Sequence, residues 1–111
     1  MNTKELVLKY FNSWQQPADF NAMASCLSEH LKVNSGFFKF DSRENFIHFL
    51  KANPAPWKGV KLLSSFFHEE DASILYEGIN TGMNRKMRVS EHISISEGKI
   101  IDIQTVIAQL D

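Results

Sequence analysis

The C-terminal half of the chain contains four strand-like segments joined by very short connections. The segments span residues 60–68, 72–80, 86–96 and 99–110, and the connections contain two to five residues. Each segment is rich in branched and aromatic residues and is bounded by turn-forming residues. Because parallel neighbours need crossovers of about a dozen residues or more, these segments predict an antiparallel meander.

The N-terminal half first predicts two helices and a short strand. Residues 3–16 place an apolar stripe on one helix face, and Asn2 with Glu5 fits a capping box. Pro17 ends this helix, and Asp19 is the expected N-cap of the second one. The segment "HLKVN" then predicts a strand. The apolar faces carry Leu6, Val7, Tyr10, Phe11 and Trp14 on the first helix, and Phe20, Met23, Ala24 and Leu27 on the second.

A third helix follows the aromatic but unpatterned segment "GFFKF". We expect Asp41 with Glu44 to open it, and the segment "NPAPWKG" ends it because prolines and glycine do not continue a helix. Its apolar face carries Phe46, Ile47 and Leu50. Three helices followed by a meander predict an α+β fold with the helices on one face of a bent sheet, and we expect residues 1–111 to form a single domain.

Charge and composition argue against several classes of partner. The chain has 12 basic and 13 acidic residues, with no basic run longer than "RKMR". We therefore expect neither nucleic acid nor an anionic membrane as its principal partner. The N-terminus lacks the pattern of a signal peptide and no segment has about 20 consecutive apolar residues, which together with a single cysteine predicts a cytoplasmic protein.

Glu91 interrupts an otherwise apolar strand face. With a period of two, Val89, Glu91, Ile93 and Ile95 share one face of the segment "RVSEHISIS", while the other face is polar. An ionised carboxylate buried without a partner costs several kcal/mol, so such an acid usually shifts its pKa or finds a partner. Either the register is misread or this face lines a cavity.

The last hairpin decides which residues face Glu91. A two-residue loop at Glu97-Gly98 sets Glu91 opposite Gln104, whereas a three-residue loop at 96–98 sets it opposite Ile103. We expect the three-residue loop because it keeps the two apolar faces together. Its inner face contains Ile101, Ile103, Thr105 and Ile107.

Three segments of the chain resemble the nuclear-transport-factor-2-like (NTF2-like) superfamily, and within it the SnoaL-like and ketosteroid-isomerase-like proteins. They are "LVLKYFNSWQQPADFNAMASCLSEHLKV", "DSRENFIHFLK" and "SEHISISEGKIIDIQTV". The resemblance implies a cone-shaped fold in which three helices pack on a curved, mostly antiparallel sheet and enclose a pocket. It also implies a homodimer formed through the outer sheet face.

The same resemblance assigns roles to particular positions. In the isomerases, a carboxylic acid on the penultimate strand stays neutral and donates a hydrogen bond to the substrate oxyanion. Aligned through the Gly-Lys-Ile turn, this acid falls on Glu91. The isomerase general base falls on Asn34 or Ser35, and the catalytic aspartate of the cyclases falls near Thr105. None of these three side chains can act as a base.

The predicted pocket therefore centres on Glu91, and each candidate also has a simpler interpretation. Glu91 is either a functional acid or a structural one satisfied by a hydroxyl or by Arg85 or Arg88. The aromatic candidates are either pocket walls or ordinary core residues. His68 becomes an alternative base if it lies on the inner face. The expected lining residues are Tyr10, Trp14, Trp57, Tyr76, Ile93, Ile103 and Thr105.

Two functions remain open. The first is a cofactor-free enzyme, of an isomerase, cyclase or hydrolase type, that acts on a small apolar carbonyl or epoxide-like molecule with Glu91 as acid/base or hydrogen-bond donor. The second is a non-catalytic domain that binds a small hydrophobic molecule or associates as a dimer. The four histidines show no metal-ligand spacing, so we expect neither a metal site nor another cofactor.

Overall fold

The computed structural model describes residues 1–110, which form three helices and one six-stranded sheet. The helices are α1 (Thr3–Ser13), α2 (Phe20–Cys26) and α3 (Arg43–Ala52). The strands are β1 (Leu27–Asn34), β2 (Lys39–Phe40), β3 (Trp57–Phe67), β4 (Asp71–Asn80), β5 (Arg85–Ser96) and β6 (Lys99–Gln109).

The predicted meander is confirmed. Strands β3, β4, β5 and β6 are consecutive antiparallel neighbours in the sheet order β2-β1-β6-β5-β4-β3. Strand β1 pairs in parallel with β6, and the short β2, which the sequence did not predict as a strand, pairs antiparallel with β1. Because one pair in the sheet is parallel, the architecture is a mostly antiparallel α+β fold, as expected.

Side-chain caps fix where the helices begin. Asn2 Oδ1 accepts a hydrogen bond from Glu5 N at 2.8 Å, and Asp19 Oδ1 accepts one from Ala22 N at 3.0 Å, so both predicted N-caps are confirmed. The predicted cap of α3 is wrong by one residue. Ser42, which has an extended backbone, accepts from the third residue of the helix, whereas Asp41 lies outside it.

The predicted helix ends differ from the structure by a few residues. Helix α1 ends at Ser13 rather than at residue 16, and its C-cap is Trp14. Leu27, expected on α2, instead begins β1 because the chain becomes extended immediately after Cys26. Both differences lie at element ends, where side-chain periodicity carries little information.

The helices cover one face of the sheet, and the sheet bends around them. In β4 and β5 alternate residues are buried, as expected for strands with one face on a core. Register shifts in the β1–β6, β3–β4 and β5–β6 ladders mark bulges, which bend strands and increase their twist. The resulting curvature leaves a hollow between the inner sheet face and the helices.

The predicted register of the last hairpin is wrong. The turn is the two-residue Glu97-Gly98, with φ of 51° and 73°, and Ser96 faces Lys99 across it. These positive φ values are those of a type I′ turn, which matches the twist of the strands. The observed turn is thus the two-residue loop, which was not the expected one. Gln104, the partner that this loop predicts for Glu91, also differs from the partner in the structure.

A bulge explains both errors. The ladder shifts between Ser94 and Ile95, so that Ile101 is the extra residue of β6 and lies exposed instead of on the inner face. Beyond this shift Glu91 faces Thr105. Ile103, Thr105 and Ile107 lie on the inner face, as predicted. The two-residue turn alone would place them on the outer face, and the extra residue of the bulge returns them to the inner one.

Candidate functional site

Glu91 lies on the inner face of β5, between two buried apolar neighbours of the same face. Val89 and Ile93 flank it at the period-two positions, and only 4% of Glu91 is exposed. Strand alternation therefore places this acid inside the hollow, as its position in the sequence predicts.

Thr105 holds one oxygen of the Glu91 carboxyl. The two residues are direct partners in the β5–β6 ladder, and Thr105 Oγ1 donates a hydrogen bond to Glu91 Oε2 at 2.8 Å. The other oxygen, Glu91 Oε1, is buried and has no hydrogen-bond partner among residues 1–110. Buried polar atoms are nearly always paired, so an orphaned oxygen is an unusual feature.

Neither arginine considered as a partner neutralises Glu91. Arg88 lies on the outer face, where its guanidinium binds Glu77, and the pKa of the Glu77 carboxyl is lowered by this hydrogen bond. Arg85 is exposed at the start of β5, and none of the ion pairs in the described part of the chain includes Glu91. The acid is held by a hydroxyl instead of by a cation.

Burial raises the pKa of Glu91 from 4.5 to about 7, because the apolar surroundings destabilise the carboxylate. The Thr105 hydrogen bond lowers this pKa and so opposes burial only in part. The Tyr76 hydroxyl also lowers it, although no hydrogen bond from Tyr76 reaches Oε1. Near neutral pH the carboxyl therefore exists in both protonation states, which suits a general acid or base.

Two tyrosines from different elements lie close to this acid. Tyr10 comes from α1 and Tyr76 from β4, and both are buried. Burial raises the pKa of each phenol well above 10, and the charge of Glu91 adds to the effect. Both phenols therefore keep their protons at neutral pH and remain hydrogen-bond donors.

An aromatic cluster supports Tyr76. The ring centroids of Phe11 and Tyr76 lie 5.0 Å apart, and those of Trp14 and Tyr76 lie 5.5 Å apart. Tilted aromatic pairs at this spacing are favourable and restrict ring motion. The Tyr76 ring is thus held in place between α1 and the sheet.

A cavity of about 190 Å³ lies over Glu91. Sites for drug-sized ligands typically enclose about 300–1,000 Å³, so this cavity suits a smaller molecule. Glu91 is the only carboxyl-bearing residue among the described residues that line it. The predicted residues that line it are Tyr10, Trp14, Trp57, Tyr76, Glu91 and Thr105.

Three predicted site residues lie elsewhere. Ile93 and Ile103 are fully buried in the core and do not line the cavity, because they pair with each other farther along the hairpin than Glu91. His68 is exposed beside the β3–β4 turn, where its backbone N–H donates to Asp71 O at 2.8 Å. His68 therefore does not occupy the inner-face position that would make it an alternative base.

Sequence reasoning missed the aromatic wall opposite the sheet. Four phenylalanines from the β1–β2 region and α3 line the cavity, with Phe38–Phe49 and Phe40–Phe46 centroids 4.7 and 5.5 Å apart. The signal was present in "GFFKF" and in the spacing of Phe46 and Phe49 on one helix. It was not usable alone, because periodicity does not show which loop folds over which helix.

Among residues 1–110, no group of three or more His, Cys, Asp or Glu side chains is arranged to hold a metal ion. Within the same residues, no helix is long and apolar enough to span a bilayer.

Comparison with solved structures identifies the fold. An NTF2-like protein of unknown function from Cytophaga hutchinsonii matches with a TM-score of 0.83 and 17% identity, over 97% of this chain and 91% of that one. The chain has the NTF2-like fold. No protein-family model matches the sequence, and no curated protein matches it significantly.

Two other NTF2-like structures carry functional names. A proposed ketosteroid isomerase from Kribbella flavida matches with a TM-score of 0.84 and 14% identity, over 98% of this chain and 79% of that one. A proposed SnoaL-like polyketide cyclase from Jannaschia sp. matches with a TM-score of 0.78 and 11% identity, over 95% and 84%. Identities this low show a shared fold and leave the chemistry to be argued from the site.

The structure places the three residues that the sequence aligned with bases of the isomerases and cyclases. Ser35 lines the cavity, whereas Asn34 Oδ1 accepts a hydrogen bond from Gly36 N in the β1–β2 connection. Thr105, at the position expected for the cyclase aspartate, donates to Glu91. Glu91 is therefore the described lining residue whose pKa lies nearest to neutral pH.

Proposed function

We propose that this protein binds a small, largely apolar molecule in the cavity and acts on it as a cofactor-free enzyme through Glu91. The observation that carries the proposal is the carboxyl oxygen Oε1, which is buried at an apolar cavity and has no partner among the described residues. A bound molecule that meets Oε1 would remove the cost of leaving that oxygen unpaired.

The chemistry follows from the surroundings of the carboxyl. With Thr105 donating to Oε2, the neutral acid carries its proton on Oε1 and donates it to a carbonyl or epoxide oxygen. The carboxylate form accepts a proton at the same atom. A pKa of about 7 keeps both forms accessible near neutral pH.

A single carboxyl favours isomerisation over reactions that need two catalytic groups. If Glu91 removes a proton from one substrate atom and returns it to another, it ends in its starting state. Tyr76 and Tyr10, which stay protonated, can donate to an oxygen on which negative charge develops. The names of the isomerase and cyclase neighbours agree with this class of reaction, although the shared fold alone does not assign it.

The test combines ligand detection with a matched pair of variants. A library of small carbonyl and epoxide compounds is screened by NMR against the native protein, Glu91→Gln and Glu77→Gln, and compounds that bind are assayed for turnover. Glu77 is the control because its carboxyl lies on the outer sheet face, bound to Arg88. We expect turnover to disappear only in Glu91→Gln, and an active Glu91→Gln variant would contradict the proposal.

A second candidate function is association through the outer sheet face. Phe66 on β3 and Val106 on β6 are 65% and 69% exposed on this face, where Ile79 and Ile101 are exposed as well. Large exposed apolar residues that share one sheet face make that face a candidate for association. A dimer in sedimentation velocity at micromolar concentration, lost in Val106→Asp, is the expected result, and a monomeric native protein would count against it.

A further inference from the structure

Two connections meet at one end of the sheet, and a third borders the same cavity. Trp57 pairs with Asn80, and Thr81 N donates to Pro56 O at 2.7 Å, so the 53–56 connection lies beside the 81–84 turn. The 35–38 connection joins them, because Ser35 and Phe38 line the same cavity as Ala55 and Trp57. We call these three connections, 35–38, 53–56 and 81–84, the mouth end.

The mouth end exposes large apolar side chains. Phe37 is 77% exposed, Met83 is 55% exposed, and Phe38 is 51% exposed although it also lines the cavity. Pro54 and Pro56 are exposed between them. These exposed apolar side chains lie on connections that border the cavity or contact one another, and exposed apolar patches mark interaction sites.

Positive charges outnumber negative ones next to the mouth end. Lys39, Lys58 and Arg85 are exposed there, whereas Asp41 lies beside Lys39 and Glu77 forms an ion pair with Lys86 at 3.5 Å. The opposite end of the sheet is acidic, with Glu69 and Glu70 beside the β3–β4 turn and Glu97 in the β5–β6 turn. The net charge of −1 therefore conceals a separation of charge along the molecule.

We propose that the mouth end docks on an anionic lipid bilayer, with Phe37 and Met83 in the interfacial region and the three cations at the headgroups. Aromatic and apolar tips combined with basic side chains are the features that hold a protein at such an interface. The acidic end then points away from the negative surface, so the charge separation sets the orientation. The balanced composition predicts no membrane partner. Residue counts, however, do not show where the fold places the charges.

This orientation turns the cavity opening toward the lipid. A small apolar molecule is concentrated in a bilayer relative to water, so a docked protein would meet its ligand at the opening. The encounter with a ligand rests on the proposed function, whereas docking itself needs neither Glu91 nor any ligand.

The experiment is co-sedimentation of the full chain with vesicles of phosphatidylcholine alone and of phosphatidylcholine with phosphatidylserine. We expect binding to the mixed vesicles, weakened by added salt and weak or absent on neutral vesicles. Each cation near an anionic surface strengthens binding roughly fivefold, so Lys58→Glu with Arg85→Glu should weaken it more than tenfold. Phe37→Ser should also weaken it severalfold.

Matched controls separate docking from general stickiness. Phe66→Ser removes a similarly exposed phenylalanine from the outer sheet face, and Lys4→Glu reverses an exposed charge near the acidic end. Both should bind mixed vesicles like the native protein, and so should Glu91→Gln. Circular dichroism checks that each variant is folded.

Three results would overturn the proposal. They are no binding to mixed vesicles, an equal loss of binding in Phe37→Ser and Phe66→Ser, or self-association without vesicles that depends on Phe37. The last result would assign the mouth end to a second copy of the chain. If Glu91→Gln binds vesicles normally but no small molecule binds the cavity, the proposed function fails while docking stands.

Discussion

Replacing Glu91 by Gln is expected to stabilise the protein at alkaline pH. The native carboxyl has a pKa of about 7 in place of the ordinary 4.5, because it is buried. One pKa unit corresponds to about 1.4 kcal/mol, so ionising Glu91 inside the folded protein costs about 3 kcal/mol more than in the unfolded chain. Gln is close in shape and never ionises, so the variant lacks this cost.

The sign of the pH dependence follows from proton binding. Below pH 4.5 the folded and unfolded states both keep the proton on Glu91, and the free energy of unfolding is unaffected by this group. Between pH 4.5 and 7 the unfolded state releases the proton while the folded state keeps it, so stability falls as pH rises. Above pH 7 the loss of about 3 kcal/mol is complete.

Urea denaturation of the native protein and Glu91→Gln at pH 5 and pH 8 measures this effect. The amide has its own unpaired N–H group, which costs about 1–3 kcal/mol at both pH values. The diagnostic quantity is therefore the change in the stability difference between the two pH values. We expect Glu91→Gln to gain about 2–3 kcal/mol relative to the native protein on going from pH 5 to pH 8.

One result would refute this reasoning. If the stability difference between Glu91→Gln and the native protein is the same at pH 5 and pH 8, the folded and unfolded states bind the Glu91 proton equally. The carboxyl would then be solvated or well paired. This would exclude the interpretation that Glu91 is a buried acid retained for function although it lowers stability.

Three further predictions concern the neighbours of Glu91 and the last hairpin. Thr105→Val should raise the pKa of Glu91 by about one unit, because a hydrogen bond to the charged form is lost, whereas Thr105→Ser should leave it near the native value in a carboxyl NMR titration. Tyr76→Phe should raise the same pKa by less, and a fall would contradict the donor role of the phenol. Gly98→Ala should destabilise the protein by about 1 kcal/mol and Glu97→Gly should stabilise it by a similar amount in urea denaturation, since both positions have positive φ.

Short-range patterns in the sequence were sufficient to place Glu91 on the inner face. Alternation in β5 depends only on the strand period, and short connections exclude parallel pairing of the last four strands. The partner across the ladder was not predictable in this way. A bulge at Ser94–Ile95 changes the register by one residue, and nothing in the alternation of β6 shows which residue is extra.

The remainder of the site depends on contacts between distant segments. Phe38 and Phe49 meet across the mouth of the cavity because the β1–β2 connection folds over α3. Ile93 has the same alternation as Glu91, yet it lies in the core cluster, which includes Leu6 and Met23 of the helices. Strand period tells which face a residue occupies and does not tell whether that face meets a cavity or a helix.

The separation of charge is a further property that only the fold reveals. Glu69 and Glu97 are 28 positions apart in the sequence, yet both line the same groove at the end of the sheet away from the cavity opening. Lys39, Lys58 and Arg85 are equally dispersed along the chain. Lys58 and Arg85 lie at the same end of the sheet because β3 and β5 both pair with β4, which the composition does not encode.

Direct titration of the Glu91 carboxyl tests the central claim. Carbon-detected NMR follows the side-chain carboxyl through pH 3 to 9, with Glu91→Gln to assign its signal. The structure predicts a pKa of about 7, because burial outweighs the hydrogen bond from Thr105. A value close to the ordinary 4.5 would show a stabilised carboxylate, and would contradict the assignment of Glu91 as the acid/base group of the cavity.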